Sequence, residues 1–118
     1  LRQANDWVEE LESHASLGIA VDVYHVWWEP KLADEIRRAG GRIVAFHVSD
    51  FLMETTDLRL DRGMMGDGVI DIPQIRTMVE ATGYDGWIEV EIFSDRNWWR
   101  QAPDTVVQTV KERYLQYV

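Results

Sequence analysis

Three short apolar runs, spaced by helix-like segments, each finish on side chains able to ligate a metal. That recurrence constrains the fold more than any other feature of the chain. The runs cover residues 18–25, 42–50 and 86–93, and carry Asp22 and His25, His47 and Asp50, and Glu91 toward their ends. Strands alternating with helices pair in parallel through crossovers, and a parallel α/β sheet, open or closed, has all its strand C-termini on one side. Asp22, His47 and Glu91 would converge there. Two carboxylates and an imidazole form a donor set suited to Mn²⁺, Mg²⁺, Co²⁺ or Zn²⁺. The alternative is three unrelated polar residues at strand ends.

The helical segments are read from apolar spacing. Residues 3–16 place Trp7, Val8, Leu11 and Ala15 at helical intervals. Residues 30–39 begin with Pro30, carry Leu32, Ala33 and Ile36 as a stripe, and stop at Gly40 and Gly41. Asp71 is a suitable N-cap for a helix through Thr82, with Ile75, Met78 and Val79 inward. A last helix from Pro103 or Asp104 carries Val106, Val107, Val110, Tyr114 and Leu115. Between the second strand and the third helix, residues 51–69 read as irregular. The order is α-βα-βα-βα, with no linker rich in Gly, Ser or Pro, so residues 1–118 are expected to be one domain. Three parallel strands alone would leave two edges open, so this pattern reads as part of a larger sheet or barrel, prone to self-association.

Composition narrows the function classes. The 118 residues are 46% hydrophobic and 28% charged, an ordinary globular balance. No apolar stretch approaches the roughly 20 residues a membrane helix needs. The first residues show no secretory pattern, and the chain lacks an initiator Met, so it is expected to start inside a longer reading frame. Cysteine is absent, which excludes disulfides and thiolate sites and is compatible with the cytoplasm, the expected location. The net charge of −9 opposes contact with phosphate backbones, so no nucleic-acid partner is expected, although a small phosphorylated substrate could be held by local arginines.

Asp22-Val-Tyr-His25, Phe46-His47-Val-Ser-Asp50, Arg62-Gly-Met-Met-Gly66-Asp67-Gly68 and the segment from Gly83 to Glu91 occur in this order. Together they resemble the C-terminal part of the sugar-phosphate isomerases and epimerases of the xylose isomerase-like TIM-barrel superfamily. The resemblance implies an α/β fold, about three βα units at the C-terminal end of a (β/α)₈ TIM barrel. It implies metal binding by Asp22, His47 and Glu91, with Glu91 also the acid/base. His25 matches a histidine that contacts substrate oxygen, and Arg62 an arginine that holds substrate hydroxyl or phosphate oxygens. A further metal-binding Glu, on a strand preceding Leu1, is expected from the family. The related endonuclease branch carries a D-x-H pair where this chain has Asp61-Arg62-Gly63, which lowers a DNA-repair reading.

The implied reaction is a metal-dependent isomerisation or epimerisation of a sugar or sugar phosphate through an enediolate. Removal of a weakly acidic C–H proton needs an electrophile to hold the charge and a carboxylate to move the proton. A keto-polyol dehydratase, an endonuclease-like metal phosphoesterase and a non-catalytic, self-associating partial barrel stay open as alternatives. Several residues have two readings. His25 is either catalytic and substrate-binding or a satisfied strand-end histidine. Trp27 and Trp28 wall a pocket or pack a core, as do Trp98 and Trp99. Arg62 is substrate-binding or a solvated loop charge. Glu89 tunes Glu91, or belongs to a polar lower layer or pairs with an arginine; Asp50 is a ligand or a loop cap, with the cap or a supporting role behind the ligands favoured. His14 is expected on the surface. Gly66-Asp67-Gly68 is a tight turn as readily as a phosphate loop.

Overall fold

The computed structural model describes residues 1–11 and 14–118. Its elements follow the expected alternation: α1 (Arg2–Glu10), β1 (Ile19–Asp22), α2 (Val23–Val26), α3 (Leu32–Ala39), β2 (Ile43–Val48), α4 (Ile72–Glu80), β3 (Ile88–Val90) and α5 (Pro103–Tyr117). Short 3₁₀ turns cover Gly40–Arg42 and Trp98–Arg100. The strands form one parallel sheet in the order β1-β2-β3, and among the described residues no helix is long and apolar enough to cross a membrane.

The register assigns each strand residue to a face. Val21, Phe46 and Ile88 stand in one row, and Asp22, His47 and Glu89 in the next. The face of Val21, Phe46 and Val48 packs against Leu32, Ile36 and Ala39 of α3 and Ile72, Ile75 and Val79 of α4, and this is the core. Burial of such side chains supplies about 1.5–3 kcal/mol each relative to exposure. The opposite face carries Ala20, Ala45 and Glu89 below the strand ends, and Ala20 and Glu89 are exposed.

Each helix boundary has a local cause. Asp71 caps α4 by accepting a hydrogen bond from the Gln74 N–H at 3.1 Å, with proline in the first turn. Gly40, at φ 52°, ends α3 in the left-handed region that favours glycine.

Several expectations are corrected. The first helix stops at Glu10, and Ala15 and Ser16 lie in an exposed turn; residues 12 and 13, within the expected helix, lie outside the described residues. Trp7 and Leu11 are exposed, and α1 instead buries Val8 and Asn5. The Asn5 amide donates to the Glu35 backbone oxygen and to Glu35 Oε2, both at 2.9 Å, which docks α1 on α3. The first strand ends at Asp22 rather than running to His25, because Asp22 Oδ1 accepts from the Tyr24 N–H at 2.9 Å and turns the chain into α2. The third strand is short, and Glu91 follows its end. In α5 no residue is fully buried: Val106, Val110, Tyr114 and Tyr117 pack partly on the core, while Val107 and Leu115 face out.

Candidate metal and substrate site

The three strand ends do come together. One ligand atom from each of Asp22, His47 and Glu91 lies within 4.8 Å of the others, and this is the group of potential metal-holding side chains found among the described residues. Asp22 and His47 are register partners, and the Glu91 N–H is anchored to the Val48 carbonyl at 3.0 Å, so the backbone sets the spacing. Asp22 is buried, whereas His47 and Glu91 are half-buried, as a site reached from solvent requires.

Each ligand candidate has a second contact that orients it. Asp22 spends Oδ1 on the Tyr24 N–H, leaving Oδ2 toward the site. His47 Nε2 lies 3.3 Å from Glu89 Oε2, and its Nδ1 lies 3.8 Å from Glu91 Oε1. Glu89 is His47's register partner, so the two carboxylates expected to perturb one another instead divide around the imidazole. A carboxylate on the outer nitrogen fixes ring orientation and raises ligand basicity, as is usual for metal-binding histidines.

Arg62 is not a solvated charge. It is buried, with Nη1 at 3.0 Å from both Asp22 Oδ2 and Glu91 Oε2, and 3.4 Å from the Glu91 carbonyl. Its Nη2 lies 3.1 Å from His25 Nε2, and since a guanidinium only donates, that imidazole nitrogen accepts. The guanidinium carbon sits 4.4 Å from the Tyr24 ring centre and 5.0 Å from that of Phe93. Tyr24 and Phe93 were not identified from the sequence as its neighbours. Burial pushes the Tyr24 hydroxyl above its ordinary value, against the pull of Arg62, so the phenol stays neutral near pH 7.

Asp50 holds the loop that delivers Arg62. Its carboxylate accepts from the backbone N–H groups of Phe51, Gly66, Gly68 and Ile70 at 2.9–3.0 Å. The Gly66 and Gly68 amides are thereby spent on Asp50, which makes this segment an internally tied turn rather than a phosphate cradle. Gly68 is required because an added Cβ would lie 2.1 Å from the Phe51 carbonyl oxygen.

The remaining aromatics differ in exposure. Trp27 is partly buried, with its ring 5.2 Å from Phe51, while Trp28 meets it edge-on and is exposed. His25, on α2, leaves most of its side chain open to solvent. Trp98 donates Nε1–H to Asp67 at 3.3 Å, and Trp99 donates its own to the Ile92 carbonyl at 2.8 Å, so both pin the loop after β3. His14 is exposed, as expected.

A family model for the xylose isomerase-like TIM barrel matches residues 1–112, and the chain belongs to that family. Among solved structures, it is similar to protein SMc04130 from Sinorhizobium meliloti 1021, with 51% identity and a TM-score of 0.93, over 98% of this chain and 42% of that one. It also resembles the IolI protein, solved with a binding zinc atom, at 21% identity and a TM-score of 0.85, over 100% of this chain and 43% of that one. The chain thus spans well under half the length of either. Among curated proteins no match was found. The α/β class and the correspondence to part of a TIM barrel are therefore established.

Proposed function

We propose that residues 1–118 are a partial barrel domain contributing the metal and substrate groups of a divalent-metal-dependent isomerase or epimerase that acts on a sugar or sugar phosphate. The observation that carries this reading is the convergence of Asp22, His47 and Glu91 within 4.8 Å. The chemistry of the donor set fits the ion: two carboxylates and one imidazole whose outer nitrogen already meets Glu89. IolI, solved with a binding zinc atom on the same fold, supports the choice of a divalent cation.

When bound, the cation would supply electrophilic stabilisation of negative charge on substrate oxygens. The chain's own residues supply the rest. Glu91 is half-buried at the site's rim and has two carboxylate oxygens, so one can ligate while the other exchanges a proton with a substrate carbon. His25 presents an exposed imidazole beside Arg62, placed to hydrogen-bond a substrate oxygen. Arg62 supplies donors for hydroxyl or phosphate oxygens. Trp27 and the exposed Trp28 form an apolar wall beside Phe51, suited to the C–H face of a sugar ring.

Titrating Mn²⁺ into the chain by calorimetry tests the reading. Saturable binding is expected, absent in His47→Ala and Glu91→Ala and retained in Trp98→Ala, with all variants folded by circular dichroism. Equal binding by the His47 and Glu91 variants would place the ion elsewhere and sink the proposal.

A further inference from the structure

We infer that Arg62 is the built-in counter-ion of this site and competes with the divalent cation for the oxygens of Asp22 and Glu91. The inference rests on the metal-site reading above and adds to it a coupling between metal loading and the freeing of Arg62 and His25.

Asp22 Oδ1 accepts from the Tyr24 N–H, and Arg62 Nη1 holds Oδ2 at 3.0 Å. The same Nη1 holds Glu91 Oε2 at 3.0 Å. One guanidinium nitrogen thus bridges two of the three side chains that would hold the metal. Without a cation, two carboxylates packed this closely, one of them buried, would repel each other and lack solvent. Arg62 supplies the missing positive charge, and unlike lysine or histidine it cannot give that charge up.

A divalent ion held by Asp22 and Glu91 would draw on the same two carboxylates and set a like charge beside the guanidinium, so the two cations would compete for them. The surroundings allow an exchange. The guanidinium carbon lies 4.4 and 5.0 Å from the Tyr24 and Phe93 ring centres, cation–π contacts that hold the charge without fixing which oxygens it meets. Among the described residues, the buried Arg62 Nε has no hydrogen-bond partner, so its present position leaves one donor unused. Displacing Arg62 would also release His25 Nε2, which now accepts from Nη2. Metal entry would therefore turn a guanidinium and an imidazole toward substrate in the same step. Because such coupling is reciprocal, a ligand that draws Arg62 away would tighten metal binding.

Zn²⁺ calorimetry on the wild-type chain and Arg62→Gln tests this. Removing the competing charge should tighten zinc binding by roughly 5–150-fold, the usual range of coupling between sites. Unchanged or weaker binding in the folded variant would overturn the inference while leaving the metal site standing. Zinc binding by neither chain would overturn the metal site itself, and the inference with it. Should Arg62→Gln fail to fold, the Arg62 Nε–Hε resonance of the wild-type chain decides. A shift that saturates with zinc supports displacement, and a resonance unmoved at saturation refutes it.

Discussion

At the scale of single residues, His47 depends on its neighbour across the β2–β3 ladder. Glu89 Oε2 lies 3.3 Å from Nε2, which leaves Nδ1 facing Glu91. Outer partners of metal-binding histidines typically control affinity by about 10–100-fold. Glu89→Gln is accordingly expected to weaken Mn²⁺ binding by about that factor, measured by calorimetry, with an unchanged circular dichroism spectrum. Glu89→Ala, which removes the acceptor altogether, should weaken it at least as much. An affinity equal to wild type in both would show that the contact does not orient the ring. The motif around Glu91 offered both carboxylates as partners of each other. Only the register, which pairs Glu89 with His47, distinguishes the two arrangements.

At the scale of elements, the long segment between β2 and α4 has little regular structure but is not loose. It is held by the four amides on Asp50, by paired bonds between Asp50 and Gly63, and by the Asp61–Ser94 bridge to the segment after β3. A buried donor left without its acceptor costs about 1–3 kcal/mol. Asp50→Ala should therefore lose at least about 2 kcal/mol in urea denaturation. Its amide exchange at Gly66, Gly68 and Ile70 should accelerate, while exchange in α3 and α4 tracks only the global loss. The α1–α3 contact predicts a pH dependence. The Arg38 guanidinium hydrogen-bonds Glu9 at 2.6 and 2.8 Å and holds its carboxyl below the ordinary 4.5. A carboxyl depressed in the folded state stabilises the fold above its unfolded value, and that contribution fades as pH falls through the folded value. Wild type should thus exceed Glu9→Gln in stability near pH 7, and the gap should close below pH 4.5. A gap independent of pH would mean that Glu9 acts by packing alone.

At the scale of the whole molecule, the order β1-β2-β3 leaves β1 and β3, among the described residues, each with one edge outside the sheet pairing, and Ala20 and Glu89 on one sheet face are exposed. Trp87, at the start of the third strand segment, and Leu115, on α5, are almost fully exposed, at 86% and 87%. Open edges and large exposed apolar groups favour pairing with another chain. Sedimentation velocity on the isolated 118 residues is expected to show association that grows with concentration and weakens in Trp87→Lys. A monomer at every concentration would refute this. The two similar structures extend well beyond the matched portion, with 42% and 43% of their chains covered.

The amino-acid sequence alone determined the alternation of strands and helices, the parallel class, the caps at Asp71 and Gly40, and the grouping of Asp22, His47 and Glu91. All of these follow from local periodicity, turn chemistry and the rule that parallel strands end on one side. The role of Asp50 as a loop cap was legible in the same way. Tertiary structure alone decided that the first strand gives way to a helix at Val23, because Val and Tyr favour strands until the Asp22 carboxylate captures the Tyr24 N–H. It also decided that α1 buries Asn5 rather than Trp7, since the Glu35 carboxylate and carbonyl that satisfy the amide lie 30 residues away. Above all, it decided where Arg62 goes. Its partners Asp22, His25 and Glu91 are distant in sequence, and only an irregular loop tied from within by Asp50 brings its guanidinium between them.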